Sequence, residues 1–182
     1  MRSPYLIVDS NLGVNKANLY ITRDHVLTSK INSRELRNEL LVTYRSSANP
    51  SLGDKGRYKN YLRIILPLAA KVNGIRHYPD ESGYQDIAYD EKVYENHKEL
   101  GFLLDIPSGG KHQVQFSWSI DNQKLLNGGV LKFHAYKQAG TEADKFYFNF
   151  GLDGYLLTGL GRSVYNTNLD RDFVQTLYLK KK

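Results

Sequence analysis

Between residues 100 and 120 the chain alternates apolar and polar positions in two runs. Phe102, Leu104 and Ile106 are set against Leu103 and Asp105, and Val114, Phe116, Trp118 and Ile120 against Gln113, Gln115, Ser117 and Ser119. Successive side chains on a strand point to opposite faces, so each run predicts a strand with one greasy face. Pro107-Ser108-Gly109-Gly110 separates the runs and predicts a hairpin turn. The pattern recurs downstream, where Phe146, Phe148, Phe150 and Leu152 alternate with Lys145, Tyr147, Asn149 and Gly151. A strand over 130–138, with Leu131, Phe133 and Ala135 on one parity, precedes it and predicts a second hairpin.

Leu36, Leu40, Val42 and Tyr44 keep one parity, which favours a strand through Tyr44 over the helix that Ser33-Arg34-Glu35-Leu36 would open as a capping box. Residues 17–23 and 25–31 read as two further strands, with Leu19, Ile21, Leu27 and Ile31 facing inward. Residues 61–67 carry apolar side chains on both faces, which predicts a central strand that Pro67 ends. Phe173, Leu177 and Leu179 mark a last strand. Residues 46–59 predict an exposed loop, 121–127 a polar turn and 156–163 a short apolar loop.

Together these elements predict an all-β fold, an antiparallel β-sandwich of immunoglobulin-like type. The expected core is Leu62, Ile64, Leu66, Phe102, Leu104, Val114, Phe116, Trp118, Phe146, Phe148 and Phe150. Residues 1–24 read as an N-terminal strand and junction segment and 25–182 as the sandwich, the two forming one compact unit. Fourteen Tyr, seven Phe and fifteen Gly against one Met fit strands and turns.

Composition removes several kinds of chemistry. There is no cysteine, hence no disulfide and no thiolate metal site. The net charge of +6 is dispersed, and its only run is Lys180-Lys181-Lys182. A nucleic-acid footprint is a clustered patch, so no nucleic-acid partner is expected. Tyr5-Leu6-Ile7-Val8 is too short to cross a bilayer, and no membrane contact is expected of this chain. His25, His77, His97, His112 and His134 show no ligand spacing, so neither a metal nor a cofactor is expected. Asp9, Asn11 and Gly13 have the spacing that opens a calcium loop, but its twelfth position is Tyr20, which cannot ligate. No nucleophile elbow, P-loop or dinucleotide fingerprint occurs, and Gly159-Leu160-Gly161-Arg162 is not a phosphate loop. The carboxylate pairs Asp90 and Glu91, Glu142 and Asp144, and Asp170 and Asp172 are of a kind that surface loops carry routinely, so the chain reads as a non-enzyme.

Residues 72–96 interleave Tyr78, Tyr84, Tyr89 and Tyr94 with acids. Solvated edge strands and loops produce such text, and that reading is preferred. The alternative is a carbohydrate or peptide contact surface with Tyr78, Tyr84 and Tyr89 as stacking platforms.

Three segments carry a family resemblance: Val8-Asp9-Ser10-Asn11-Leu12-Gly13-Val14-Asn15-Lys16-Ala17-Asn18, Tyr58-Lys59-Asn60-Tyr61-Leu62-Arg63-Ile64-Ile65-Leu66-Pro67, and Lys137-Gln138-Ala139-Gly140-Thr141-Glu142-Ala143-Asp144. With Gly101-Phe102 and the Pro-Ser-Gly-Gly turn between the last two, the chain resembles the C-terminal β-rich region of the bacterial family known as domain of unknown function 4012. The resemblance implies a distal β-domain of a longer, membrane-anchored parent chain, located outside the cytoplasm in the cell envelope. The abrupt start Met1-Arg2-Ser3-Pro4 reads as that of an excised piece. The implied function is that of a non-catalytic spacer or adhesion and interaction module, whose partner is a protein or glycan at the cell surface. A carbohydrate-binding module and an accessory domain of a cell-wall-polymer enzyme are the alternatives. No catalytic or binding residue is carried over. Lys-to-Asn cross-links, known from surface sandwiches, would show as an intact mass lower by one ammonia.

Overall fold

A computed structural model of the chain describes residues 1–13, 16–80, 83–123, 128–159 and 162–182. Parts of the polar turn at 121–127 and of Gly159-Leu160-Gly161-Arg162 lie outside the described residues. The strands are β1 (Arg2–Asn11), β2 (Ile21–Ile31), β3 (Glu35–Ser46), β4 (Tyr58–Pro67), β5 (Lys71–Asp80), β6 (Gly83–Asp86) and β7 (Asp90–Val93), followed by β8 (His97–Ile106), β9 (Lys111–Asp121), β10 (Gly128–Tyr136), β11 (Asp144–Leu152), β12 (Tyr155–Thr158), β13 (Val164–Leu169) and β14 (Phe173–Lys181). Two short 3-10 turns, Ala17–Tyr20 and Pro50–Gly56, complete the regular structure among the described residues. No helix among the described residues is long and apolar enough to cross a membrane.

The strands form two sheets of seven that pack as a β-sandwich. The first runs β12-β14-β10-β1-β4-β8-β7 and the second β13-β11-β2-β3-β9-β5-β6. Each is mixed: β1 pairs with β10 in parallel, and β2 pairs with β11 in parallel, all other pairings being antiparallel. Purely antiparallel sheets are therefore not what forms, and seven strands per sheet exceed the immunoglobulin pattern of seven to nine in all.

All eleven expected core residues are buried between the sheets. The two expected hairpins are not hairpins. β8 belongs to the first sheet and β9 to the second, and β10 and β11 are divided in the same way. Alternation tells which side chains face the core, but it is silent on whether the next strand pairs alongside or folds across onto the opposite layer. Here the Gly110 amide donates to Pro107 O at 2.9 Å, Gly109 takes φ +74°, and the turn carries the chain across the sandwich. Consecutive strands pair only as β2–β3, β5–β6 and β7–β8; every other connection changes sheet.

Three smaller expectations also change. β2 is a single strand, and Leu19, expected inward, stands 72% exposed because it lies in the first 3-10 turn. The loop over 46–59 contains the second 3-10 turn, whose N-cap Asn49 accepts from the Ser51 amide at 2.9 Å. The apolar loop over 156–163 includes strand β12. The proposed boundary between residues 24 and 25 falls inside β2, while β1 lies in the interior of the first sheet between β10 and β4. The acidic, tyrosine-rich segment does supply edges, since β6 and β7 each end a sheet.

Candidate functional site

Polar chemistry gathers at several places among the described residues, and two of them hold the residues singled out in the sequence. The first lies between the sheets, around a charged residue on an apolar parity. Along β2 the inward side chains are Arg23, His25, Leu27, Ser29 and Ile31, and all are buried. A guanidinium at such a position requires partners, because an unpaired buried charge is very costly. Arg23 has two. Its Nη1 pairs with Oδ2 of Asp9, which reaches across from β1 of the opposite sheet. Its Nε and Nη2 donate to Oδ1 and Oδ2 of Asp144, at 3.2 and 2.7 Å, in a bidentate fork.

The remaining acceptor sites of Asp9 are also taken. Oδ1 accepts from the Tyr44 hydroxyl at 2.9 Å and from Nδ2 of Asn60 at 2.6 Å. Gln138 clasps the Asp9 backbone from the β10–β11 loop: its Oε1 accepts from Asp9 N at 3.0 Å and its Nε2 donates to Asp9 O at 2.9 Å. That loop is itself tied by the Lys137 ammonium, which donates to Thr141 O at 2.6 Å, Thr141 Oγ1 at 2.8 Å and Glu142 O at 3.0 Å.

Titration behaviour follows from burial and neighbours. Burial works against the Arg23 charge, but Asp9, Tyr44 and Asp144 more than offset it and raise its pKa. Burial pushes the Asp144 carboxyl up while Arg23 beside it pulls the other way. Tyr44 is raised well above the phenol range, by burial first and by Asp9 second. Burial and the Arg23 charge hold His25 down to about 3, so it is a neutral imidazole, and its Nε2 at 3.6 Å from Asp144 Oδ2 is not an ion pair.

This cluster forms the floor of a cleft of about 280 Å³ whose lining includes Asn11, Asn18, Tyr58, Gln138, Thr141 and Asp144. Residues of 8–13 and 16–18, of 58–67 and of 137–144 thus converge on one spot, with Arg23 at its centre, while Val14 and Asn15 lie outside the described residues. The Asp9 carboxylate is engaged by Arg23, Tyr44 and Asn60, and Asn11 Oδ1 accepts from the Gly13 amide at 2.9 Å to close a local turn. Asp144 is engaged by Arg23, not paired with Glu142. The clue to the cluster in the sequence was Arg23, a charge on the parity of Leu27 and Ile31.

The second place is the outer face of the second sheet. Tyr78 and Tyr84 come together there, with ring centroids 5.6 Å apart. Arg76 lies over Tyr84, its Cζ 4.4 Å from the ring centre. Tyr78 donates its hydroxyl to Gln115 Oε1 at 3.1 Å, and Gln113 Nε2 donates to Thr43 Oγ1 at 3.0 Å. Tyr84 is 51% exposed. Tyr89 is not part of this group; it packs against the core between β6 and β7.

A backbone irregularity sets this face. In β5, Val72 lies opposite Trp118 and Gly74 opposite Ser117, so β5 holds one extra residue, a β-bulge, with Gly74 at φ +151°. Beyond it Ile75 and His77 point inward and Arg76 and Tyr78 outward; unbroken alternation from Val72 would reverse both pairs.

Among the described residues no group of three or more His, Cys, Asp or Glu is placed to hold a metal ion. No protein-family model matches the chain. No curated protein matches it. Among solved structures it is similar to an M1 zinc metallopeptidase from Deinococcus radiodurans and to a point mutant of that enzyme bound to a Tyr-Ser-Ala substrate. The mutant matches at 10% identity and TM-score 0.38, over 87% of this chain and 39% of that one. The unmutated enzyme matches at 10% identity and TM-score 0.36, over 89% of this chain and 39% of that one. The chain therefore spans about two-fifths of the length of the structures it matches.

Proposed function

We propose that this chain is a non-catalytic β-sandwich module of a bacterial cell-surface protein. It acts by contact, and its contact surface is the outer face of the second sheet around Arg76, Tyr78, Tyr84 and Gln115. The observation that carries this reading is the exposed Tyr84 ring, held in place by Arg76 and Tyr78 on a strand surface edged by the amides of Gln113 and Gln115. An aromatic face beside amide and hydroxyl groups suits a sugar ring, whose C–H face stacks while its hydroxyls hydrogen-bond. Glycan is accordingly the partner class, and the envelope location rests on the family resemblance alone. The non-catalytic part is supported by the carboxylates of Asp9 and Asp144, which are committed to Arg23, Tyr44 and Asn60.

A glycan array of bacterial-envelope and host polymers, probed with the labelled chain, tests this. Binding to at least one glycan is expected, with loss in Tyr84→Ala at unchanged Tm. A silent array, or binding that Tyr84→Ala leaves intact, overturns the glycan surface. Turnover of a cell-wall polymer by the chain alone overturns the non-catalytic reading.

A further inference from the structure

His77 and His112 are far apart in the sequence and meet on the inner side of the second sheet, near its β5 edge. His77 of β5 lies opposite Val114 of β9, and His112 is two residues from Val114 on the same face. The bulge at Gly74 turns His77 inward toward its partner. His77 Nε2 and His112 Nδ1 are 2.9 Å apart, with ring centroids at 5.0 Å and planes inclined by 40°. His112 is 8% exposed and His77 is half-buried, so the pair is both anchored and reachable from solvent.

We propose that His77 and His112 form a two-imidazole site for a divalent transition metal of the copper or nickel type, through Nε2 of His77 and Nδ1 of His112. Two nitrogens each about 2.05 Å from one metal and at a right angle lie about 2.9 Å apart, whereas a tetrahedral angle needs about 3.3 Å. The observed 2.9 Å matches the span of adjacent corners of a tetragonal centre, and a turn of each ring that shortens the 5.0 Å centroid spacing to about 4.5 Å aims both lone pairs at the metal. With no third side-chain ligand among the described residues, solvent completes the coordination. Affinity then follows imidazole basicity and the general order of divalent ions, copper above nickel and zinc. The competing use of this geometry is a single N–H···N hydrogen bond with its proton between the two nitrogens; metal binding replaces it when the donor ring carries that proton on its other nitrogen instead. The site does not depend on the glycan surface, since the rings lie on the opposite face of β5 from Tyr78.

The test uses the intact chain and copper(II) in a non-coordinating buffer at pH 7. Calorimetry is expected to give one ion per chain, with a spectrum showing two coupled imidazole nitrogens. His77→Gln should weaken binding at least tenfold, while His134→Gln, at a half-buried histidine hydrogen-bonded to Asp172, should leave it unchanged. Because His112→Gln would disturb a buried position, the unmutated chain supplies the second measurement: substoichiometric copper should broaden the ring signals of His77 and His112 before those of His97 or His134. Equal affinity in His77→Gln, a one-nitrogen spectrum, or first broadening at His97 or His134 overturns the site.

Discussion

Arg23 and Asp144, 121 residues apart in the chain, face one another through a two-pronged hydrogen-bonded ion pair, Nε to Oδ1 at 3.2 Å and Nη2 to Oδ2 at 2.7 Å. The pairing is set by the parallel register of β2 and β11, in which Asp24 lies opposite Lys145 and the two preceding residues adjoin. Since Arg23 also pairs with Asp9 of the other sheet, one guanidinium fastens the C-terminal strands and both layers at a single point. Removing it strands two carboxylates with 8% and 11% side-chain exposure. Arg23→Met is therefore expected to cost about 3–5 kcal/mol in urea unfolding. Asp9→Asn combined with Arg23→Met should cost less than the two single changes added, because they share the same contacts. Strict additivity would show that the two residues are not coupled.

Stability should fall as the solution is acidified through His25. In the unfolded chain its imidazole protonates near pH 6.5, whereas in the fold it resists to about 3. The unfolded state binds the proton first, so the His25 contribution is complete above pH 6.5 and is lost progressively down to pH 3, by up to about 5 kcal/mol. Asp144 acts with the opposite sign, since its raised folded pKa lets the native state take a proton before the unfolded state does. His25→Leu should flatten the dependence of the urea midpoint on pH between 6.5 and 3. A slope unchanged by that substitution would assign the acid sensitivity to other groups.

The bulge in β5 can be probed at Gly74. A Cβ there meets nothing within 4 Å, so the obstacle to a side chain is the backbone angle alone. At φ +151°, Gly74→Ala is expected to cost about 1–3 kcal/mol through strain. Deleting Asn73 should do something different: it removes the extra residue, so Val72, Ile75 and His77 face inward in unbroken alternation with Arg76 and Tyr78 still outward, and the chain is expected to keep its fold with a Tm near that of the unmodified chain. A deletion variant that fails to fold would refute the bulge, because in a regular strand the deletion reverses every side chain that follows.

Trp118 separates packing from hydrogen bonding. It is 1% exposed, its ring centroid is 6.2 Å from that of Tyr5, and its Nε1 has no hydrogen-bond partner among the described residues. Trp118→Ala should cost on the order of 3–5 kcal/mol by opening a cavity. Trp118→Phe should cost much less, since the smaller ring also removes a desolvated donor. Thermal unfolding of the two variants distinguishes these effects, and equal losses would point to an unseen role for Nε1.

Period-two alternation made the layers of this fold legible. Leu62, Phe116 and Phe148 were placed in the core because a strand that buries one face must repeat every second residue. It could not say which strands pair, because the core face of β8 looks the same whether β9 lies beside it or above it. The parallel pairings β1–β10 and β2–β11 had no local signature, as nothing between residues 11 and 128 records them. At the candidate sites, Tyr78 and Tyr84 were visible as aromatic residues in a polar segment. Their union depended on a one-residue insertion at Asn73 and Gly74 that alternation does not encode. Asp9, Arg23 and Asp144 were each visible only singly, and only the register of β2 against β11 brings the last two together.

The two parallel pairings also set a schedule for folding. Strands β1 to β9 can assemble two partial layers, but β1 and β2 then lie at open edges until β10 and β11 arrive. At ordinary rates of synthesis the last five strands emerge over roughly 3–12 s. During that interval two unpaired backbone ladders stand open, the condition in which strands recruit neighbours from other chains. A protein built in this order is expected to gain more from a chaperone, or from slow low-temperature expression, than its finished stability would suggest.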